Sequence, residues 1–164
     1  MLFAIFPSSC GTHEAKDPFA YAKERFSVKI SGEIDGVEIS SNAVFNPTAA
    51  EDEVLISAEF LSPPSLSGIT VNLYGDGSTG IRLGEISLKN GSFYSMVEPF
   101  LLLLPNEDYS SIQKNREGKT VIMFSSGQRE LTYTFDDSCV CPQKICGRQG
   151  NRAVSLEISD FSAQ

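Results

Sequence analysis

The chain has 164 residues, 41% of them hydrophobic and 21% charged, which is one domain's worth of material with enough apolar side chains for a core of its own. Its 13 basic and 21 acidic side chains leave a formal charge of −8, which repels phosphate backbones and excludes nucleic acid as a favoured partner. The longest apolar runs, Met1 to Phe6 and Phe100 to Leu104, fall far short of the roughly 20 residues a membrane-spanning helix needs.

At the start, the apolar run Met1 to Phe6 gives way to Pro7-Ser8-Ser9 and then to Cys10-Gly11 and a polar stretch. This resembles the end of a bacterial lipoprotein signal peptide, in which small residues precede a cysteine that becomes the lipidated N-terminus. Pro7 stands where that pattern prefers an aliphatic residue, and the basic segment and longer apolar core are missing, so the reading carries with it a true start upstream of Met1. The resemblance implies that residues 1–17 are the remnant of a signal peptide and a tether. Residues 18–164 are then the folded domain, and Cys10 is the lipidation site. The protein would sit outside the cytoplasm, held to the cell membrane by its N-terminal lipid alone. The alternative is a plain tail with an incidental thiol.

Asp17-Pro18 predicts a helix start, with Asp as cap and Pro in the first position, and about two turns over Phe19 to Arg25. The apolar period then changes to two. Phe26, Val28 and Ile30 alternate with polar residues, and beyond Asp35-Gly36 the apolar set moves to Val37, Ile39, Ala43 and Phe45, which predicts a hairpin with Phe26 opposite Phe45, Val28 opposite Ala43 and Ile34 opposite Val37. Strands follow over Val54 to Phe60, stopped by Pro63-Pro64, and over Ile69 to Leu73. Gly75-Asp76-Gly77-Ser78-Thr79-Gly80 matches the G-x-G-x-x-G pattern of dinucleotide sites, but strand continues after it where such a site needs a helix, so it reads as a hairpin turn. Ile81 to Leu88 is expected as strand with a bulge at Gly84. Phe100 to Leu104 lacks alternation. Pro99 suits the first turn of a short helix, and four consecutive leucines require cover on nearly every side. Strands resume at Lys119 to Phe124, Glu130 to Phe135, Gln143 to Cys146 and Ala153 to Ser159.

With no Trp and no G-x-S-x-G, and with the single histidine, His13, in the tether, no Ser-His or Cys-His nucleophile pair can be assembled. The acidic runs Glu51-Asp52-Glu53 and Asp136-Asp137 read as solvated turns. No catalytic residue, metal site or cofactor is expected, and the chain reads as a non-enzyme. Cys139, Cys141 and Cys146 form a C-x-C-x4-C cluster that lacks the usual spacing and fourth ligand of a zinc site. In an extracytoplasmic protein at least one disulfide among the three is expected.

Eight or nine antiparallel strands, apolar on one face, with a helix before the first and a leucine-rich helix in mid-chain, call for a strongly curved sheet, a closed barrel or a sandwich. With the lipoprotein-like start, that order resembles the LolA/LppX superfamily of lipoprotein carriers and lipid-binding lipoproteins. The stretches that carry the likeness are Phe26 to Gly36, Ala58 to Pro63, Gly68 to Gly75, Glu98 to Pro105 and Thr132 to Ile158. The resemblance implies an unclosed half-barrel with a lid helix over an apolar cavity that takes a lipid or acyl chain. The residues expected on the cavity face are Phe26, Val28, Ile30, Phe45, Val54, Ile56, Ala58, Phe60, Val71, Leu131, Tyr133 and Leu156, with Leu102 on the lid. The same alternation describes an ordinary filled core. The two functions to weigh are therefore a surface lipoprotein that binds or shields a lipid or lipidated peptide, and an accessory lipoprotein with a filled core that docks another envelope protein.

Overall fold

The computed structural model describes residues 17–89, 91–105, 108–136 and 140–164. Asp17 accepts the Phe19 N–H and a hydrogen bond from the Lys23 ammonium, so the turn it opens is an Asx turn, and the helix that follows is one 3-10 turn, Ala20–Lys23, in place of the two α-turns expected. The strands are β1 (Phe26–Ile34), β2 (Val37–Phe45), β3 (Val54–Ser62), β4 (Ile69–Tyr74), β5 (Thr79–Leu83), β6 (Ile86–Lys89), β7 (Ser111–Lys114), β8 (Thr120–Ser126), β9 (Arg129–Phe135), β10 (Lys144–Gln149) and β11 (Arg152–Ala163). The β1–β2 hairpin has the register expected from its turn and pattern, Phe26 to Phe45, Val28 to Ala43 and Ile34 to Val37.

All eleven strands belong to one antiparallel sheet in the order β6-β5-β4-β3-β2-β1-β11-β10-β9-β8-β7. The fold is the unclosed half-barrel that was expected, with two strands more. One comes from Gly84, which is not a bulge: with Glu85 it forms a two-residue turn that divides the segment into β5 and β6, Leu83 pairing Ile86. The other is β7, whose four residues carry one apolar side chain and so no alternation to read. The Gly75 to Gly80 segment is a hairpin turn, closed by the Tyr74 N–H on the Ser78 carbonyl and by the Ser78 N–H on the Asp76 carboxylate.

The strand order dictates where the core lies. The chain winds outward from β1 to one edge at β6, then resumes at the opposite edge with β7 and returns through β11 to pair with β1. The connection between the edges has to cross a face of the sheet, and it crosses the concave one, where alternate strand residues are apolar. It carries the helix α1 (Tyr94–Val97) and a 3-10 turn over Glu98–Leu103, with Pro99 in its first turn as expected. Phe100, Leu102 and Leu103 are buried against the sheet. Close strand approach at Gly32 and Gly147 supports the curl, since a Cβ at either would meet the carbonyl of Ser155 or of Glu130 in the neighbouring strand.

Aromatic rings fill the end of the trough beside the Ala20–Lys23 turn. Phe26 stacks on Phe45 at 4.5 Å across the β1–β2 pair, and Phe19 packs edge-on against Tyr133 and Phe135. Burying rings of this size supplies much of the driving force for folding, at about 25 cal/mol per Å² of apolar surface.

Candidate functional site

The expected cavity-face residues lie on the concave side and are buried, except Val54: a bulge at Leu55 pairs Val54 with Tyr74 on the convex face, and Leu55 packs against the core in its place. They do not together line an open cavity. Phe26, Val28, Ile30, Phe45, Ile56, Ala58, Val71, Leu131, Tyr133 and Leu156 pack into one continuous core under the lid segment, and Leu102 meets only a void of about 10 Å³. The space left open is at the other end of the trough, where the β1–β2 turn, the β3–β4 loop and the lid meet. It is a cavity of about 250 Å³ walled by Ile34, Val37, Ile39, Phe60, Leu66, Met96, Pro99 and Phe100, with Asp35, Ser95 and Arg152 at its rim. Of the residues expected on the cavity face, only Phe60 reaches it, although Val37 and Ile39 also belong to the alternating rows. Val37, at 53% exposure, marks its mouth.

Local structure explains why these side chains converge. Ile34, Val37 and Ile39 are in phase on the concave face of the hairpin, just before and after its turn. Phe60 ends the concave row of β3 and meets Phe100 edge to face at 5.9 Å. Pro99 starts the 3-10 turn that aims Phe100 inward, and Met96 lies on the α-turn before it. The walls therefore come from three parts of the chain, and one of them is the lid itself.

The lid is fastened at three places. Beneath it, the buried Tyr133 hydroxyl donates to the Leu102 carbonyl at 2.8 Å. At its entry, the Thr79 hydroxyl donates to the Gly91 carbonyl at 2.6 Å and accepts the Phe93 N–H at 3.2 Å. At the rim, Arg152, the first residue of β11, donates through Nη1 to the Glu98 carboxylate at 2.9 Å and to the Ser95 carbonyl at 3.2 Å, while its Nε lies 3.7 Å from Asp35. Asp35 is itself held, accepting the Ala153 N–H at 2.8 Å. The rim of an apolar cavity thus carries one guanidinium shared between two carboxylates. No pattern in the sequence marks Arg152, because its lid partners lie 54 and 57 residues away.

Cys10 and the segment expected as a signal-peptide remnant lie outside the described residues, as does Cys139. The expected disulfide is not found among the described residues. Cys141 is buried in the core cluster, while Cys146 faces the convex side beside Thr132 and Ser155, so the sheet separates the two and they do not bond to each other. Among the described residues no helix is long and apolar enough to cross a membrane.

No family model and no curated protein matches the chain by sequence. Solved structures match it by shape. An uncharacterized conserved protein from Thermus thermophilus superposes with a TM-score of 0.54 at 14% identity, over 88% of this chain and 81% of its own. A LolA superfamily protein from Nitrosomonas europaea aligns with a TM-score of 0.46 at 9% identity, over 87% of each chain. At such identities the likeness concerns the fold alone, an open, lidded half-barrel.

Proposed function

We propose that the protein binds a lipid or lipidated peptide by taking an acyl chain into the cavity between the β1–β2 turn and the lid, as a non-enzymatic lipoprotein of the cell envelope tethered through Cys10. The observation that carries this reading is the composition of the cavity: eight apolar side chains from three segments wall it, and its only charged groups stand at the rim. At roughly 30 Å³ per water-sized group, about 250 Å³ accommodates about eight such groups, a segment of an acyl chain rather than a whole lipid. Each methylene moved there from water contributes about 0.8 kcal/mol, so such a segment gains about 6 kcal/mol before ordering costs. A longer chain needs the lid to move. Fatty acids, phospholipids and acylated peptides all present the chain, and the rim charges suit a polar headgroup left in water.

The test is a titration with an environment-sensitive fatty-acyl probe on wild-type protein and on Val37→Trp, which puts an indole across the mouth from an exposed position. Saturable binding that Val37→Trp abolishes without loss of thermal stability is expected. A wild type with no saturable binding overturns the proposal and leaves the docking role standing. The tether is tested separately by intact mass of membrane-extracted protein, in which a diacylglycerol addition must vanish in Cys10→Ser.

A further inference from the structure

β6 ends the sheet, and among the described strands it is bonded on one side alone, to β5, through the pairs Leu83 to Ile86, Arg82 to Ser87, Ile81 to Leu88 and Gly80 to Lys89. Because the two-residue turn Gly84-Glu85 joins Leu83 to Ile86, these two are a hydrogen-bonded pair, and in the antiparallel alternation Ile81 with Leu88 is the next one. The backbone groups of Ile86 and Leu88 are therefore spent on β5. Those of Ser87 and Lys89 point outward.

The side chains of this edge also divide cleanly. Leu83, Ile86 and Leu88 continue the concave apolar face past the end of the lid and are 52%, 67% and 54% exposed. Ser87 and Lys89 stand on the convex face with Glu85 in phase. The Lys89 ammonium is held there over the Tyr74 ring at 4.7 Å. Natural sheet edges resist unwanted pairing by carrying a lysine or by being short. This edge has both features, but the lysine is matched within the same segment by a carboxylate four residues earlier.

We infer that β6 is a self-association surface, pairing antiparallel with β6 of a second copy of the chain about a two-fold axis through Ser87. In that register Ser87 opposes Ser87 of the second copy, so their outward N–H and C=O groups exchange both hydrogen bonds. Ile86 opposes Leu88 on the concave face, in the closer, non-hydrogen-bonded positions where apolar side chains meet best. Glu85 opposes Lys89 on the convex face, twice over. Moving the axis to Ile86 or to Leu88 keeps the backbone alternation but sets Ser87 against Glu85 or Lys89, and both ion pairs are lost. The charges therefore select one register and one partner, a strand with this same pattern running the other way. The two troughs become one continuous concave surface, joined by the Ile86 and Leu88 pairs.

Sedimentation velocity of the full chain over a concentration series, with a reductant present to exclude cross-linking through cysteines, tests this. A reversible monomer–dimer equilibrium is expected. Ser87→Pro removes an N–H that β5 does not use and abolishes the dimer. Glu85→Lys and Lys89→Glu each weaken it about tenfold, by turning two attractions into repulsions, while the double variant E85K/K89E restores it to within about threefold of wild type. Circular dichroism reports whether each variant is folded, and the charge variants decide the matter should the proline variant unfold. A wild type that stays monomeric up to its solubility limit overturns the inference. So does a dimer that folded Ser87→Pro leaves intact, or a double reversal as weak as either single one.

Discussion

Arg152→Met separates the rim fastener of the lid from the rest of the fold, because methionine keeps an apolar stem along the cavity wall and removes the guanidinium. Wild-type Arg152 makes a 2.9 Å bond to Glu98 and a 3.2 Å bond to the Ser95 carbonyl, with the Arg152 side chain 34% and that of Glu98 30% exposed. Two unit charges at about 4 Å attract by about 4 kcal/mol at the effective dielectric of a protein surface. Lost side-chain freedom and solvent screening reduce that to about 0.2–1 kcal/mol for exposed pairs, and this pair stands at the upper end because it is a third exposed and hydrogen-bonded. Adding the bond to Ser95, at about 0.5–1.5 kcal/mol, gives a loss of about 1.5–2.5 kcal/mol. If the loss falls on the lid alone, the detached lid is populated about 10 to 70 times more. Hydrogen exchange read by mass spectrometry should then show peptides over residues 94–104 exchanging faster by that factor, with peptides from β8 and β9 unchanged. Glu98→Gln should reproduce part of the effect, and the double variant should be less than additive by about 0.5 kcal/mol or more. Wild-type lid exchange should quicken with salt while that of Arg152→Met does not. Equal acceleration across the whole sheet, or none at the lid, refutes the assignment of Arg152 as a lid fastener.

Three further outcomes follow from burial. The Tyr21 phenol is pushed well above its usual range by burial, with smaller contributions from Tyr133 and Cys141, and its hydroxyl has no hydrogen-bond partner among the described residues. The neutral phenol is what the fold holds, so its contribution is intact below the ordinary tyrosine pKa of about 10 and is lost as pH rises from there through the folded value; Tyr21→Phe should flatten that alkaline limb in denaturation against pH and, by removing an unsatisfied group, stabilise at neutral pH by about 1 kcal/mol. Leu102→Asp buries a carboxylate at a site 1% exposed and should cost more than about 4 kcal/mol in urea titrations, whereas Leu101→Asp, on a half-buried side chain, should cost less than half as much. In native protein a maleimide should label Cys146 well before Cys141, which is 2% exposed, and comparable rates would place Cys141 outside the core.

What could be read from the sequence was what local physics determines. The β1–β2 register followed from Asp35-Gly36 and a period of two, each of which alone selects the same pairing. The lid followed from composition, since Phe100 to Leu104 has no polar face to turn outward, and Phe100, Leu102 and Leu103 are indeed buried. The concave face was legible, but its occupancy was not: Phe26 and Phe45 show the same alternation whether they line a cavity or stack on each other, and they stack. The open cavity lies where the alternating rows end, at a turn, a loop and an irregular connection, so no shared period joined Val37, Ile39 and Phe60 to Leu66, Met96 and Pro99. Arg152 was invisible for the same reason that it matters, because it joins segments that only the strand order brings together.

The lid's three attachments differ in kind, and that difference gives the half-barrel a direction in which to open. The Tyr133 bond to Leu102 is neutral and buried, so breaking it leaves a donor and an acceptor without water and costs about 1–3 kcal/mol. The Thr79 bonds hold the lid's entry, next to β5, on a side chain that is itself buried. Arg152, Glu98 and Asp35 are partly solvated already, and when they separate each gains water in place of the partner it loses. The attachment whose loss water compensates best is thus the one at the cavity mouth. A lid detached there would swing about its buried anchors, widening the space bounded by Met96, Pro99 and Phe100, while the packed end, with Phe26, Phe45 and Tyr133, would keep its contacts. On the proposed function, an entering acyl chain would replace Phe100's contacts with Phe60 by contacts of like polarity, so opening at the mouth would cost mainly the ionic bonds. A filled core and an adjustable pocket can share one trough because the fasteners are unequal along it.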